Sequence, residues 1–271
     1  MDNEEKLLVT QSHDPAIAAR IIRNIESVER DWHLASDLLS DRMMRDVREI
    51  LGKLAPESWK FIVSGWSALI VPPDWKMTRG VGNGDAWLEL AEICDAEEEY
   101  SWIAAAVGIG STKMGLELQF RNGLEPFGLA LIANDKAVDA LLKLGFVRDA
   151  AKERLFIPVK VNADLLAKGF EENDLDKALA PVGKAIELAI AAKPDLDKIV
   201  EQVREAAMGE LIAAGRRVFD ELKNVCVWNK KNAGMGTFYR SKHEMVFVFK
   251  KGRVAHVNTF GLGDGGSMHM T

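Results

Sequence analysis

Trp59-Lys-Phe-Ile-Val-Ser-Gly-Trp-Ser-Ala-Leu-Ile-Val71 decides how the rest of the chain is understood. Trp59, Phe61 and Val63 recur at every second position, Gly65 interrupts, and Trp66, Ala68 and Ile70 resume the alternation. A period of two means one side of an extended strand is apolar, and a mid-run glycine marks a turn or bulge. Two strands, or one bulged strand, are therefore predicted. Downstream, Ala86 to Ile93 and Arg154 to Val161 have strand length and composition, the second with Leu155, Ile157, Val159 and Val161 on one side. Tyr100 to Ile109 and Met114 to Phe120 are predicted as further strands, joined in a hairpin by Gly110-Ser-Thr-Lys113. Asp135 to Leu144 is a short helix stopped by Gly145. A run of near-neighbour strands with helices around it gives an α+β class: a mainly antiparallel sheet flanked by helices.

Helices bracket this sheet in sequence. Asp14-Pro15 supplies an N-cap and a first-turn proline, and Ile17, Ile21, Ile25 and Val28 share one face. Leu34, Leu38, Leu39, Met43, Val47 and Leu51 continue the pattern after a break near Trp32. Beyond residue 161, Asn162 and Asp174 are candidate caps, and Pro194-Asp195 starts a long helix reaching about Glu205 or beyond. A strand from Asn224 to Asn229, a glycine-containing loop, a strand from Glu244 to Lys250 and a turn at Lys251-Gly252 follow. The expected organisation is a helical segment 1–56, an α+β domain 57–161, a helical connection 162–206 and a separate segment 207–271.

Composition bounds the function. The 271 residues are 48% apolar and 28% charged with 8 Pro, which fits a globular chain and not a disordered or repetitive one. No apolar run approaches the ~18 residues of a membrane helix, so no membrane partner is expected. Met1-Asp-Asn-Glu-Glu-Lys is acidic and leads into no apolar signal core, which places the expected location in the cytoplasm. Cys94 and Cys226 stand in apolar strand-like contexts and are expected to be buried reduced thiols. The net charge is −6, yet Lys223 to Arg253 holds eight basic residues against Glu244 alone. That stretch is near +7 and the remainder near −13. Such asymmetry points to a local surface for polyanions, or to a lysine-rich hairpin that is merely solvated.

The basic stretch carries a resemblance. Met208-Gly-Glu-Leu-Ile-Ala-Ala-Gly-Arg-Arg-Val-Phe, then Trp228-Asn-Lys, Gly234-Met-Gly and Tyr239-Arg-Ser-Lys-His-Glu244 are similar to the middle segment of DNA N6-adenine amino-methyltransferases. The look-alikes are bacterial and phage enzymes in which a ParB-like nuclease domain precedes the methylase. The resemblance covers about 60 residues, from Met208 to Gly266, and residues 1–205 resemble no family. It implies that 207–271 is a helix and β-hairpin from a partial methyltransferase fold. Intact relatives also need an Asp-Pro-Pro-Tyr loop to hold the flipped base, and a Phe-x-Gly-x-Gly loop where backbone meets S-adenosylmethionine.

Neither motif is in place. Val71-Pro-Pro-Asp-Trp75 has valine at the acceptor position and Asp74 at the stacking position. Phe260-Gly-Leu-Gly-Asp-Gly-Gly266 has the wrong spacing and falls where the family has a DNA-contacting segment. Gly108-Ile-Gly-Ser-Thr-Lys113 lacks the Gly-Lys-Ser/Thr order of a phosphate loop. The expectation is a methyltransferase-derived, catalytically incompetent chain with no catalytic residues, metal or cofactor. The match starts and stops abruptly, as a gene rearrangement or incomplete reading frame would produce.

What the resemblance leaves is DNA contact. Lys230, Lys231, Arg240 and Lys242 are candidate phosphate contacts, and Phe238 and Tyr239 candidates for stacking on an exposed base. The alternative is that the two aromatics pack on the acidic domain and the lysines are solvated. Two other functions remain open: a protein-interaction or defence-associated module, and a Mg²⁺-dependent nuclease. The latter would use Asp85, Glu89 or Asp95 ahead of Glu117-Leu-Gln119, with glutamine where such sites carry lysine.

Overall fold

A computed structural model describes residues 14–64, 67–75, 84–93, 101–109, 112–149, 153–229 and 243–252. The chain divides into two compact units, Met1–Arg204 and Glu205–Thr271. The first is an α+β unit around a six-stranded sheet. Its strands are β1 (Lys60–Ser64), β2 (Ser67–Val71), β3 (Ala86–Ile93), β4 (Lys113–Phe120), β5 (Val147–Asp149) and β6 (Arg154–Val159). They lie in the order β1-β2-β3-β4-β6-β5, each pair antiparallel. The alternation in the opening stretch becomes the β1–β2 hairpin, in which Val63 lies opposite Ala68 and Phe61 opposite Ile70.

Helices α1 (Pro15–Arg23), α2 (Ile25–His33) and α3 (Ser40–Leu54) precede the sheet. Asp14 caps α1 by accepting the Ala16 N–H at 2.8 Å, with Pro15 in its first turn. The expected break near Trp32 is a π-helical turn, Leu34–Leu39, between α2 and α3, and a second interruption falls at Asn24. Val47 and Leu51 of α3 meet Ala68, Ile70, Leu90 and Leu116 of the sheet and Val182, Ala185 and Ile186 of α8 (Ala180–Ala191). All nine are buried. This face of the sheet is the core of the unit, assembled from a period of two meeting a period of 3.6.

One predicted strand is a helix. Tyr100 to Ile109 contains α4 (Trp102–Val107), so no hairpin joins it to β4. Local chemistry overrides the apolar look: the Ser101 hydroxyl accepts the Ala104 N–H at 3.2 Å, three alanines follow, and Gly108 closes the helix at φ +74°. That residue, proposed above as part of a false phosphate loop, is a C-cap. Between β4 and β5 lie α5 (Glu125–Ile132), which the sequence pattern did not announce, and α6 (Asp135–Leu144), closed by Gly145 as expected. Asn162 caps α7 (Ala163–Glu172) through the Leu165 N–H. Asp174 does not cap a helix: it accepts the Asp176 N–H in a turn, and α8 starts only at Ala180.

The last helix, α9 (Lys193–Val218), is continuous well past Glu205. Within the first unit it is fixed by a polar lock. Asp85 accepts from Arg121 Nε at 3.0 Å and from Arg204 Nε at 2.8 Å, while Arg204 Nη2 donates to the Asp74 carbonyl at 2.9 Å. The Trp75 indole N–H donates to Asp197 at 2.8 Å, and Lys193 bridges Asp197 and Asp74 at 2.6 and 3.1 Å. Burial works against the Lys193 charge, but the bonds to Asp197 and Asp74 outweigh it and hold its pKa above the usual lysine value. Asp85 is the centre of this lock, its side chain only 14% exposed. Asp85→Ala removes a shared partner of Arg204 and of the 42%-exposed Arg121 and is expected to cost about 1–2 kcal/mol, read as a lowered urea midpoint.

Candidate nucleic-acid interface

The second unit carries β7 (Glu221–Asn229) and β8 (His243–Lys250), an antiparallel pair that follows directly on α9. Valine and phenylalanine fill the middle of β8, and Val225, Val227 and Trp228 stand in β7, residue types that a pleated ribbon favours. The register is interrupted between Leu222 and Asn224, then runs unbroken to Asn229 opposite His243. Phe219 and Phe249 stack at 5.4 Å between centroids, and Gly215 of α9 lies so close to the Phe249 ring that a Cβ there would overlap it. Glycine at 215 is thus required by packing of helix on ribbon, whereas residues 208–214 show no such contact at Gly209. Asp220 donates its N–H to the Lys250 carbonyl and accepts the Gly252 N–H, which closes the open end of the ribbon.

The six predicted contact residues, Lys230, Lys231, Phe238, Tyr239, Arg240 and Lys242, lie outside the described residues, as do Asp95 and the Phe260–Gly266 glycines. The strands that flank them in sequence are defined. Pairing of Asn229 with His243 places both ends of segment 230–242 at one end of the ribbon. Lys230, Lys231 and Lys242 stand within two residues of that pair in sequence. Of the other basic residues, Lys223 is engaged with Glu221 at 2.8 Å, and that bond draws the Glu221 carboxyl below its usual pKa. Lys251 is exposed. Cys226 is a free thiol and exposed, not buried as its apolar neighbours suggested: a two-stranded ribbon has too little cover to bury both faces. Val225, Val246 and Val248 are likewise about two-fifths exposed.

The Pro-Pro stretch in the first unit has a structural role. Pro73–Trp75 forms a 3-10 turn, Trp75 is 1% exposed, and Asp74 and Trp75 both belong to the lock on α9. Trp75 packs in the core, while the Asp74 side chain is largely exposed beside Lys193.

The carboxylates weighed for metal chemistry are placed differently from one another. Glu89 lies opposite Glu117 across β3–β4, on the sheet face away from α3 and α8. Glu117 is 6% exposed, with Arg154 at 3.5 Å and Gln119 as a hydrogen-bond partner, while Glu89 accepts the Trp87 indole N–H. Asp85 is consumed by two arginines. Among the described residues no group of three or more His, Cys, Asp or Glu is placed to hold a metal ion. Burial raises the Glu117 pKa, and Arg154, Gln119 and, in the raising sense, Glu89 modify that shift.

Sequence reasoning missed two clefts on α3. One, of about 260 Å³, is lined by Arg42, Arg45, Asp46 and Glu49 with Asn173, Asp174 and Asp176; the other, of about 360 Å³, by Leu38, Asp41, Met44, Arg45, Arg48, Val63 and Ser64. The signal was present as charged residues at i, i+3, i+4 and i+7 on the side of α3 opposite Met43 and Val47. Inside the first cleft burial raises the Asp46 pKa against the pull of Arg42 at 3.5 Å.

No family model, curated protein or solved structure matches this chain.

Glu117 supplies a pH test. A carboxyl whose folded pKa is raised favours the folded state below the ordinary value of 4.5 and loses that contribution as pH rises through the raised value. Glu117→Gln is expected to flatten the fall in stability above pH 4.5 relative to the unaltered chain, in denaturant titrations across that interval.

Proposed function

We propose that this is a cytoplasmic, non-catalytic DNA-contacting protein whose second unit derives from a DNA adenine methyltransferase. The carrying observation is the Asn229–His243 pair, from which the cationic segment 230–242 departs and returns. Charge partition supports it: the second unit is +4 by formal count and the first −10. Affinity of this kind comes from phosphate neutralisation and carries little sequence preference. Lys230, Lys231, Arg240 and Lys242 supply the cations, with Phe238 and Tyr239 stacking where bases are exposed. Loss of the acceptor-Pro-Pro-aromatic loop argues against methyl transfer, since the one Pro-Pro stretch in the described residues holds a buried tryptophan and an ion-paired aspartate.

Fluorescence anisotropy with a labelled duplex tests the contact. Four phosphate contacts predict a slope of log K against log salt of about −3.6. Replacing all four cations by serine is expected to abolish the slope; a salt-independent affinity, or none at low salt, contradicts the reading. Calorimetric titration with S-adenosylmethionine is expected to give no saturable heat, and micromolar binding would overturn the claim of incompetence.

A further inference from the structure

Among the described residues, helices α1 and α2 have none that is buried. Ile21, Ile25, Val28 and Trp32 are 44%, 47%, 47% and 46% exposed. Their 4-3-4 spacing is that of a coiled-coil seam, narrower than the face of a helix built to lie on a sheet. The break at Asn24 does not divide the stripe: the Asn24 carbonyl accepts the Val28 N–H at 3.0 Å, and its side chain donates to the Arg20 carbonyl at 2.8 Å. Two nine-residue helices gain little stability alone, so a covering surface is required to account for an apolar seam kept in register.

Charge identifies that surface. Arg20 and Asp31 are eleven positions apart, about three helical turns, and so stand on one flank of the stripe. Ile21 and Trp32 share the same separation. We infer that a second copy of this chain docks on α1–α2 in an antiparallel, two-fold arrangement. Ile21 then meets Trp32 of the second copy, Ile25 meets Val28, and Arg20 meets Asp31, each contact made twice. Asp31 has an exposed pairing with its own Arg30 at 3.7 Å, which competes weakly. In a parallel pair each flank faces the opposite flank of the partner, so Arg20 and Asp31 would not meet.

Sedimentation equilibrium of the full chain over a concentration series tests this, with the 30.0 kDa monomer mass as reference. A doubled mass is expected at tens of micromolar, falling on dilution; a monomer throughout overturns the inference. Ile25→Asp, at an exposed position, is expected to remain monomeric with an unaltered far-UV circular dichroism spectrum, and a dimeric Ile25→Asp overturns it. Arg20→Asp and Asp31→Arg each place like charges together and are expected to weaken pairing by roughly tenfold. Mixed in equal amounts, the two variants regain opposite charges at both contacts, so recovery of the dimer supports the antiparallel arrangement. No recovery refutes it.

Discussion

The first unit depends on one half-buried carboxylate with two cations. Asp85 sits just before β3, and its two oxygens separately receive Arg121, just beyond β4, and Arg204, on α9. It thereby joins the end of the sheet to a helix more than a hundred residues later. Trp75, whose carbonyl accepts the Asp85 N–H at 2.8 Å, and Asp74 repeat the connection through Asp197 and Lys193. These bonds fix the level at which α9 lies along the unit, a property that apolar contacts specify poorly because they tolerate sliding. Loss of Asp85 leaves Arg204 with Glu201 and the Asp74 carbonyl and leaves Arg121 facing water, so the cost falls mainly on the less exposed Arg204.

Much of this architecture was legible in the sequence because its signals are local and periodic. Alternation gave β1 and β2, length and composition gave β3 and β6, and the Asp14, Asn162 and Gly145 caps marked helix ends. What misled was apolar content without periodicity. Trp102 to Val107 has six apolar residues in a row, and only the Ser101 and Gly108 caps distinguish its helix from a strand. Glu125–Ile132 failed to announce itself for a similar reason: it is apolar on nearly every side, so no face stands out. Asp85, Asp74 and Trp75 were visible as residue types, but their partners lie far away in sequence, and nothing in spacing predicts such pairings.

The candidate site was legible in a different way. Basic residues between Lys223 and Arg253 were countable, and the strands around them were recognisable by their valines and phenylalanines. The ion pair that occupies Lys223 was not, since it depends on Glu221 lying on the same side of one strand. Cys226 shows the limit of composition: an apolar neighbourhood in sequence implies burial only when another layer covers it, and two strands supply none.

The six-stranded sheet ends on two unlike edges. On one side β5 is three residues long, too short to template an incoming strand; on the other, the five-residue β1 sets exposed Lys60 and Ser64 at either end of exposed Ile62. Short length and polar edge positions are the usual defences against edge-to-edge growth. Contact between copies is thereby diverted from the sheet, where each added strand would expose a fresh edge, to a helical seam that is used up once it is paired. The geometry of the edges favours a closed assembly over a fibre.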